Sequence, residues 1–548
     1  MLRRYAPVAA LLALLFVVAN LLVMWGTKHK PAQTIKQPGP LVIVAAPGLT
    51  WHDVTQQRYP DLWSVLDYGA MGSQDTGGAC TPNAWLTLGA GAAASTGSCT
   101  VPQPKVSGST ASWPHWQQWQ RDSGSAPLGA LAAAYGRRGQ CVQAVGAGAA
   151  LAAADPRGRV ARYARSIGAA NLSACAVSLV DAGAGRGVAT MAQLNAVFAK
   201  LPSEATVVLT GLSGEGLGFV YTVGNGVTHG TLTSHSTRQP GLVQTSDLTA
   251  FALGRLSTTM PAGVTGQPLL VLPNSTPSKH LAASARDLDQ QLRQGDSLVW
   301  WLVGLVLVAS GALALVARRS APRWVPPVLV GLGAVPAASY LANVLPWWRW
   351  TPGPLWFGLI VLAWAGLGAA IAYAGPWRRS VGAPSLVLAG LTIALVVSDA
   401  LHDSPLQLGT PLGLRTLATG EHRGIGSAAA GVLVGCVVLL LAAVMRRRPA
   451  GALGPVRGDV VVWVAAGVAA VACALLLGVV AGLAVLVVVV PLALAAWTQG
   501  LLPADTTIRI SRRELLREER ARQREAEAEE FAENDDAGEA SVRPTDRR

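Results

Sequence analysis

Charged side chains are scarce in this sequence: they make up 13% of 548 residues, against 51% hydrophobic ones. A chain so poor in charge, with a mean hydropathy of +0.38, does not fit an ordinary soluble protein. It fits an integral membrane protein that also carries a soluble part. Lysine and isoleucine are few while Ala, Gly, Val and Arg abound, the composition of a high-GC bacterial proteome. No repeat of the solenoid kind is present. Ionisable groups are rare inside the apolar runs, which argues against an ion-coupled pump. The charge in surplus is positive, a net +13. Its placement argues against nucleic acid as a partner, because arginines gather at the ends of apolar runs, where they set topology.

What the sequence has in plenty is apolar length. A spanning helix needs roughly 20 apolar residues, with its backbone polar groups satisfied internally. Between Ser297 and Gly500 such runs fall at about 298–317, 325–345, 355–375, 383–400, 425–445, 459–477 and 480–498. The last two form one tract too long for a single span, so it folds as a hairpin near Gly478 to Gly482. A further run, Val8 to Trp25, follows the basic Met1 to Arg4. It is longer than the core of a cleaved signal peptide and reads as an uncleaved anchor. Eight spans put both termini in the cytoplasm, with Arg318, Arg319, Arg323, Arg378, Arg379 and Arg446 to Arg448 beside them. The intervening loops hold only Arg349, Arg415 and Arg423, so one topology satisfies every loop. It places residues of about 27–296 outside the plasma membrane.

The expected layout is an anchor over 1–28, an extracytoplasmic domain over 29–275, a linker over 276–297, a seven-helix membrane domain over 298–500 and a charged tail over 501–548. The outer part contains Cys80, Cys99, Cys141 and Cys175, whereas Cys436 and Cys473 lie within spans. Four cysteines in an exported domain imply disulfides with three possible connectivities. Cys80–Cys99 and Cys141–Cys175 are favoured because neighbours in sequence close short loops. The continuous apolar stretches LVIVAAPG (Leu41 to Gly48), CVQAVGAG (Cys141 to Gly148), CAVSLVDAG (Cys175 to Gly183) and TVVLTGLSG (Thr206 to Gly214) predict buried strands. Helical stretches such as Pro127 to Arg138 and Thr190 to Leu201 lie between them. This alternation predicts an α/β fold with a mostly parallel sheet covered on both faces. Ligands of such sheets sit beyond the carboxyl ends of the strands, here after Ala46, Val145, Val180 and Leu209.

A long loop from Ser398 to Ser427 brings Asp399, His402, Asp403, Glu421, His422 and Arg423 beside the bilayer, where polar groups are functional candidates. After Trp497 the chain turns hydrophilic. Alternating Arg and Glu from Arg509 to Glu533 suit a solvated helix, each i,i+4 pair adding about 0.2–0.5 kcal/mol, and the last dozen residues suit disorder.

The outer domain resembles the alkaline phosphatase superfamily. The likeness begins at LVIVAAPGLTW and PDLWSVLDYGAMGS, continues in CTPNAWLTLGAGAAAS (Cys80 to Ser95) and is most specific in LTSHSTRQPGLVQTSDLTAFAL (Leu232 to Leu253). An anchor, an outer domain of this kind and a multi-span block are also the arrangement of membrane phosphoethanolamine transferases. The resemblance implies transfer or hydrolysis of a phosphoryl or sulfuryl group. A hydroxyl nucleophile, matched here by Thr81, would be activated by zinc or another divalent metal held on Asp and His.

The metal ligands of that family are largely missing. Pro47-Gly48 stands where the family supplies an aspartate, and TGLSGEG (Thr210 to Gly216) where it has an Asp-His pair. Asp53, Asp181, His229 and His235 remain as metal candidates, and Asn83, Asp181, His235 and Arg238 as ligand-binding ones. His52 joins Asp53, His229 and His235 as an ordinary loop residue on the plainer reading. The expectation is a degenerate domain, a pseudoenzyme without a bound cofactor, that binds an envelope polymer, a lipid-linked intermediate or a membrane protein partner. The alternatives are an active hydrolase or transferase built on Thr81, and a transporter or flippase with an accessory outer domain. Sidedness is directly testable: a reporter fused after Thr81 is expected outside and one fused after Glu527 inside. Finding both in one compartment overturns the topology.

Overall fold

A computed structural model gives the architecture. It describes residues 31–501 apart from 37–38, 184–187, 213, 215, 257–258, 321, 376, 378–379, 414–424 and 446–457. The anchor over Val8 to Trp25, the tail, the arginines at 378–379 and 446–448, and Glu421, His422 and Arg423 therefore lie outside the described residues.

Eleven strands build the main sheet of the N-terminal domain. In chain order they are β1 (Gln33–Thr34), β2 (Leu41–Ala45) and β3 (Ala70–Asp75), then β6 (Val142–Val145), β8 (Arg162–Ala164) and β9 (Val177–Asp181). β10 (Thr206–Thr210), β11 (Leu217–Val223), β12 (Gly230–Ser234), β13 (Leu242–Gln244) and β14 (Leu269–Pro273) complete it. The order is β1-β14-β12-β3-β11-β10-β2-β9-β6-β8, with β13 also on β3. A separate three-stranded sheet joins β4 (Lys105–Ser107), β5 (Thr110–Ser112) and β7 (Arg159–Val160).

The four apolar stretches picked out in the sequence are neighbours: β10, β2, β9 and β6 pair in parallel. The sheet as a whole is mixed, because β11 runs antiparallel to β10 and β3, and β14 antiparallel to β12. β11 was hidden because the turn Gly211–Gly216 folds it straight back on β10, so an expected parallel unit becomes a hairpin.

Period-two alternation divides the core between the two faces. Leu41, Ile43 and Ala45 of β2 point into one cluster with the helices Thr81–Ala90, Ala130–Gly136, Ala147–Ala152 and Thr245–Gly254. Val42 and Val44 point into the other, against Pro60–Val65, Val188–Phe198 and the beginning of a long helix at Ala282.

That long helix, Ser278–Ser320, has 43 residues and extends about 65 Å at 1.5 Å per residue. The expected linker is thus no separate segment; it forms the first turns of a helix that continues into the apolar block. Among the described residues five helices are long and apolar enough to cross a membrane: Ser278–Ser320, Val325–Val344, Gly353–Ala374, Ala383–Leu401 and Val479–Gln499. Ser427–Met445 and Gly458–Leu477 are further apolar helices. The long apolar tract breaks at Gly478, which takes φ 97° between Leu477 and Val479, a conformation cheap only for glycine. Val485, Val488, Leu492 and Ala495 of the last helix are fully buried in the block, and large apolar side chains such as Leu305, Leu362, Val468 and Leu475 are exposed around it.

Two disulfides staple the sheet domain, Cys80–Cys99 and Cys141–Cys175, with Cα–Cα distances of 5.7 and 5.0 Å. Cys436 and Cys473 are free and buried. Cys141–Cys175 spans 34 positions, so on loop entropy alone the Cys141→Ser/Cys175→Ser pair is expected to cost about 3–4 kcal/mol. The drop is measurable in denaturant melts of the detergent-solubilised chain. Unreduced, denatured wild type should expose only two thiols to labelling reagent; four or more would refute the pairing.

Candidate functional site

All but two strands of the main sheet end at one edge, and there the chemistry-bearing loops gather. After β2 the backbone turns at Pro47-Gly48 and ties to β10 through Gly48 N–H to Gly211 O at 2.9 Å. Asp53 closes the following turn, accepting from Thr50 N (3.0 Å) and Thr50 Oγ1 (2.7 Å), with Arg58 at 3.8 Å. After β3 the chain enters the Thr81–Ala90 helix at its first residue, Thr81, beside the disulfide-held Cys80. Asn83 is committed to structure: its Oδ1 accepts from Thr96 N and Oγ1 at 2.8 and 2.9 Å.

Asp181 ends β9 and accepts from Gly148 N and Gly183 N, both at 2.9 Å. Burial raises its pKa, against the pull of these two amides. The indole Nε1 of Trp85 is buried without a partner, and a Cβ on Gly148 would stand 2.6 Å from Asp181 Oδ2, so nothing larger than glycine fits there.

Beyond β12 lies a group that sequence reasoning missed. Asp247, fully buried, accepts from Ser234 Oγ and Ser236 Oγ at 2.6 Å each, Gln244 N at 2.8 Å and Gln267 N at 2.9 Å. Burial pushes its pKa up while these donors oppose the shift. The signal was present in QTSD, since Gln244 and Asp247 form a reciprocal capping box. His235, between the two serines, is exposed. Arg238 takes φ 56° and stands 3.9 Å from Asp403. His229 precedes β12 at the opposite edge of the sheet, where Nε2 meets Thr276 O at 2.9 Å.

The carboxyl edge is covered by the chain's own helical block. Asp289 of the long helix, 4% exposed, accepts from Leu217 N at 2.8 Å. It also meets His52 Nε2 at 3.1 Å and the Arg293 guanidinium one turn on. Burial first, then Arg293 and Arg286, lower the His52 pKa, opposed by Asp53. Gly216 (φ 83°) leaves room for this carboxylate; a Cβ there would be 2.6 Å from Oδ1. Arg286 Nε donates to Trp51 O at 3.0 Å, and Gln291 Nε2 to Leu408 O at 2.9 Å. Leu217 and Leu242 of the sheet pack with Leu408, Leu288 and Leu292.

The loop after Ala383–Leu401 completes the cover. Asp399 accepts from Leu406 N (2.8 Å), Gln407 N (3.2 Å) and Gln407 Nε2 (3.0 Å), folding the loop back on its helix. His402 Nδ1 lies 2.8 Å from Ser398 O, and Gln239 Nε2 donates to Asp403 O.

The sequence-picked residues therefore do not converge. Asp53, Asp181 and Asn83 are each engaged in hydrogen bonds that hold loops, and His229 is at the far edge. Among the described residues no three His, Cys, Asp or Glu side chains could hold a metal ion together. The donor set does not fit the zinc chemistry that the resemblance implies, and no step is derived through a metal. No family model matches the chain, and neither a curated protein nor a solved structure shows significant similarity to it.

Asp289 can be tested alone. Asp289→Ala leaves Leu217 N–H buried without an acceptor and is expected to cost about 2–3 kcal/mol. Amide exchange at Leu217 and Gly218 should quicken in the solubilised full chain. Unchanged protection there would show that Asp289 does not hold the two parts together.

Proposed function

We propose that this is a multi-pass plasma-membrane protein whose outer domain, of alkaline-phosphatase-like descent, has become a binding or scaffolding module in cell-envelope biogenesis. One observation carries the reading. The strand edge at which a phosphoryl-transfer site would lie is closed by the chain's own helix and loop, with Asp289 there already saturated by Leu217, His52 and Arg293. An enzyme of that class needs the edge open to substrate and several carboxylates free to bind metal. Paired cysteines in the sheet domain support an oxidising, extracytoplasmic setting, and the arginine pattern supports cytoplasmic termini.

The activity is decided on purified full-length protein in detergent. No stoichiometric zinc or manganese is expected by elemental analysis, and no nitrophenyl phosphate turnover above a Thr81→Ala control. A stoichiometric metal that is lost in Asp181→Ala or His235→Ala, together with Thr81-dependent turnover, would instead establish the hydrolase or transferase.

A further inference from the structure

A broad cavity of the sheet domain lies away from the closed edge. It has a volume of about 610 Å³ and runs between the three-stranded sheet and the start of β6. Cys141 and Val142 line it at the amino end of β6, opposite the edge that meets the helical block. The strand register makes its charge pattern regular. Lys105 pairs with Ser112, and Ser112 pairs with Arg159, so the three form one row across the sheet. Strand spacing puts the Cα atoms of Lys105 and Arg159 about 10 Å apart, with Ser112 between them. All three line the cavity, and both cations are exposed and unpaired with carboxylates among the described residues. Asp155, also in the wall, is occupied: its Oδ1 accepts from Arg157 N and Arg159 N at 2.8 and 2.9 Å. Ser107, Thr110 and Gln140 add neutral polar groups, while Ala132, Val142 and Ala153 supply a small apolar floor.

Two cations rooted in one row, hydroxyl and amide groups in the same wall and an apolar floor match a chain of sugar rings bearing anions. We propose that this groove binds an anionic saccharide segment, phosphate- or carboxylate-bearing, approaching from the side away from the bilayer. The proposal rests on the binding-module reading above and gives that module its ligand class. A lipid headgroup fits less well, because the groove opens at the end of the sheet remote from the apolar helices.

Isothermal titration of the full-length protein in detergent tests it with three probes: a phosphorylated mannan oligosaccharide, an oligoglucuronate of similar length and the neutral maltohexaose. At least one charged probe is expected to bind and maltohexaose not to. The surface variant Lys105→Ala/Arg159→Ala should weaken binding at least about tenfold and flatten its salt dependence. Whichever charged probe binds more tightly identifies the anion. Failure of both charged probes, equal binding by maltohexaose, or an unaltered affinity in the double variant each overturns the proposal. Metal content and turnover are measured separately, so an active hydrolase would sink the scaffold reading without disturbing this titration.

Discussion

The carboxylate of Asp289 is the constraint on which the arrangement of the two halves depends. It sits where a membrane-entering helix crosses the edge of a sheet, at 4% exposure. A buried carboxylate is tolerable only with full partnership, and this one draws its partners from three places: Leu217 at the start of β11, His52 after β2 and Arg293 on its own helix. Satisfying the charge therefore fixes the sheet against the helix. Once they are fixed, Leu408 meets Leu217 and Leu242, and Gln239 meets Asp403. The docking is polar at its centre and apolar beside it, so it specifies one orientation, where an apolar patch alone would allow several.

The same docking covers the carboxyl edge of the sheet. Doubly wound sheets offer a crevice at the carboxyl ends of their strands because the loops there diverge. Here the divergence is filled. The turn Gly211–Gly216, in which the resemblance would place metal ligands, instead opens a glycine pocket for Asp289. The remaining acids at the edge, Asp53, Asp181 and Asp247, each take up nearby backbone or hydroxyl donors. Carboxylates engaged in this way hold loops in place.

Polar groups in the apolar block are settled by the same rule. Asp399 and Gln407 fold a loop onto a helix end, and Asn343 donates to Leu406 O and Leu408 O at 2.9 and 2.7 Å. That loop is in turn what reaches Gln291 and Gln239. The sheet domain and the apolar helices thus meet through polar contacts flanked by Leu217, Leu242 and Leu408, at the edge opposite the end of the sheet near Lys105 and Arg159.

Composition and period by themselves distinguished a sheet-bearing N-terminal part from an apolar helical C-terminal part. Apolar runs of spanning length, four strand cores and the pairing of Cys80 with Cys99 and Cys141 with Cys175 were legible because each depends on local pattern or short loops. β11 escaped because a tight turn folds it back within an apolar stretch, and Asp247 because its donors come from Ser234 and Gln267 as well as its own helix. Asp289 falls within the stretch that the sequence presents as a linker. Only the tertiary structure made it a buried junction, since burial is a property of what packs around a residue, and that packing comes from segments dozens to hundreds of positions away.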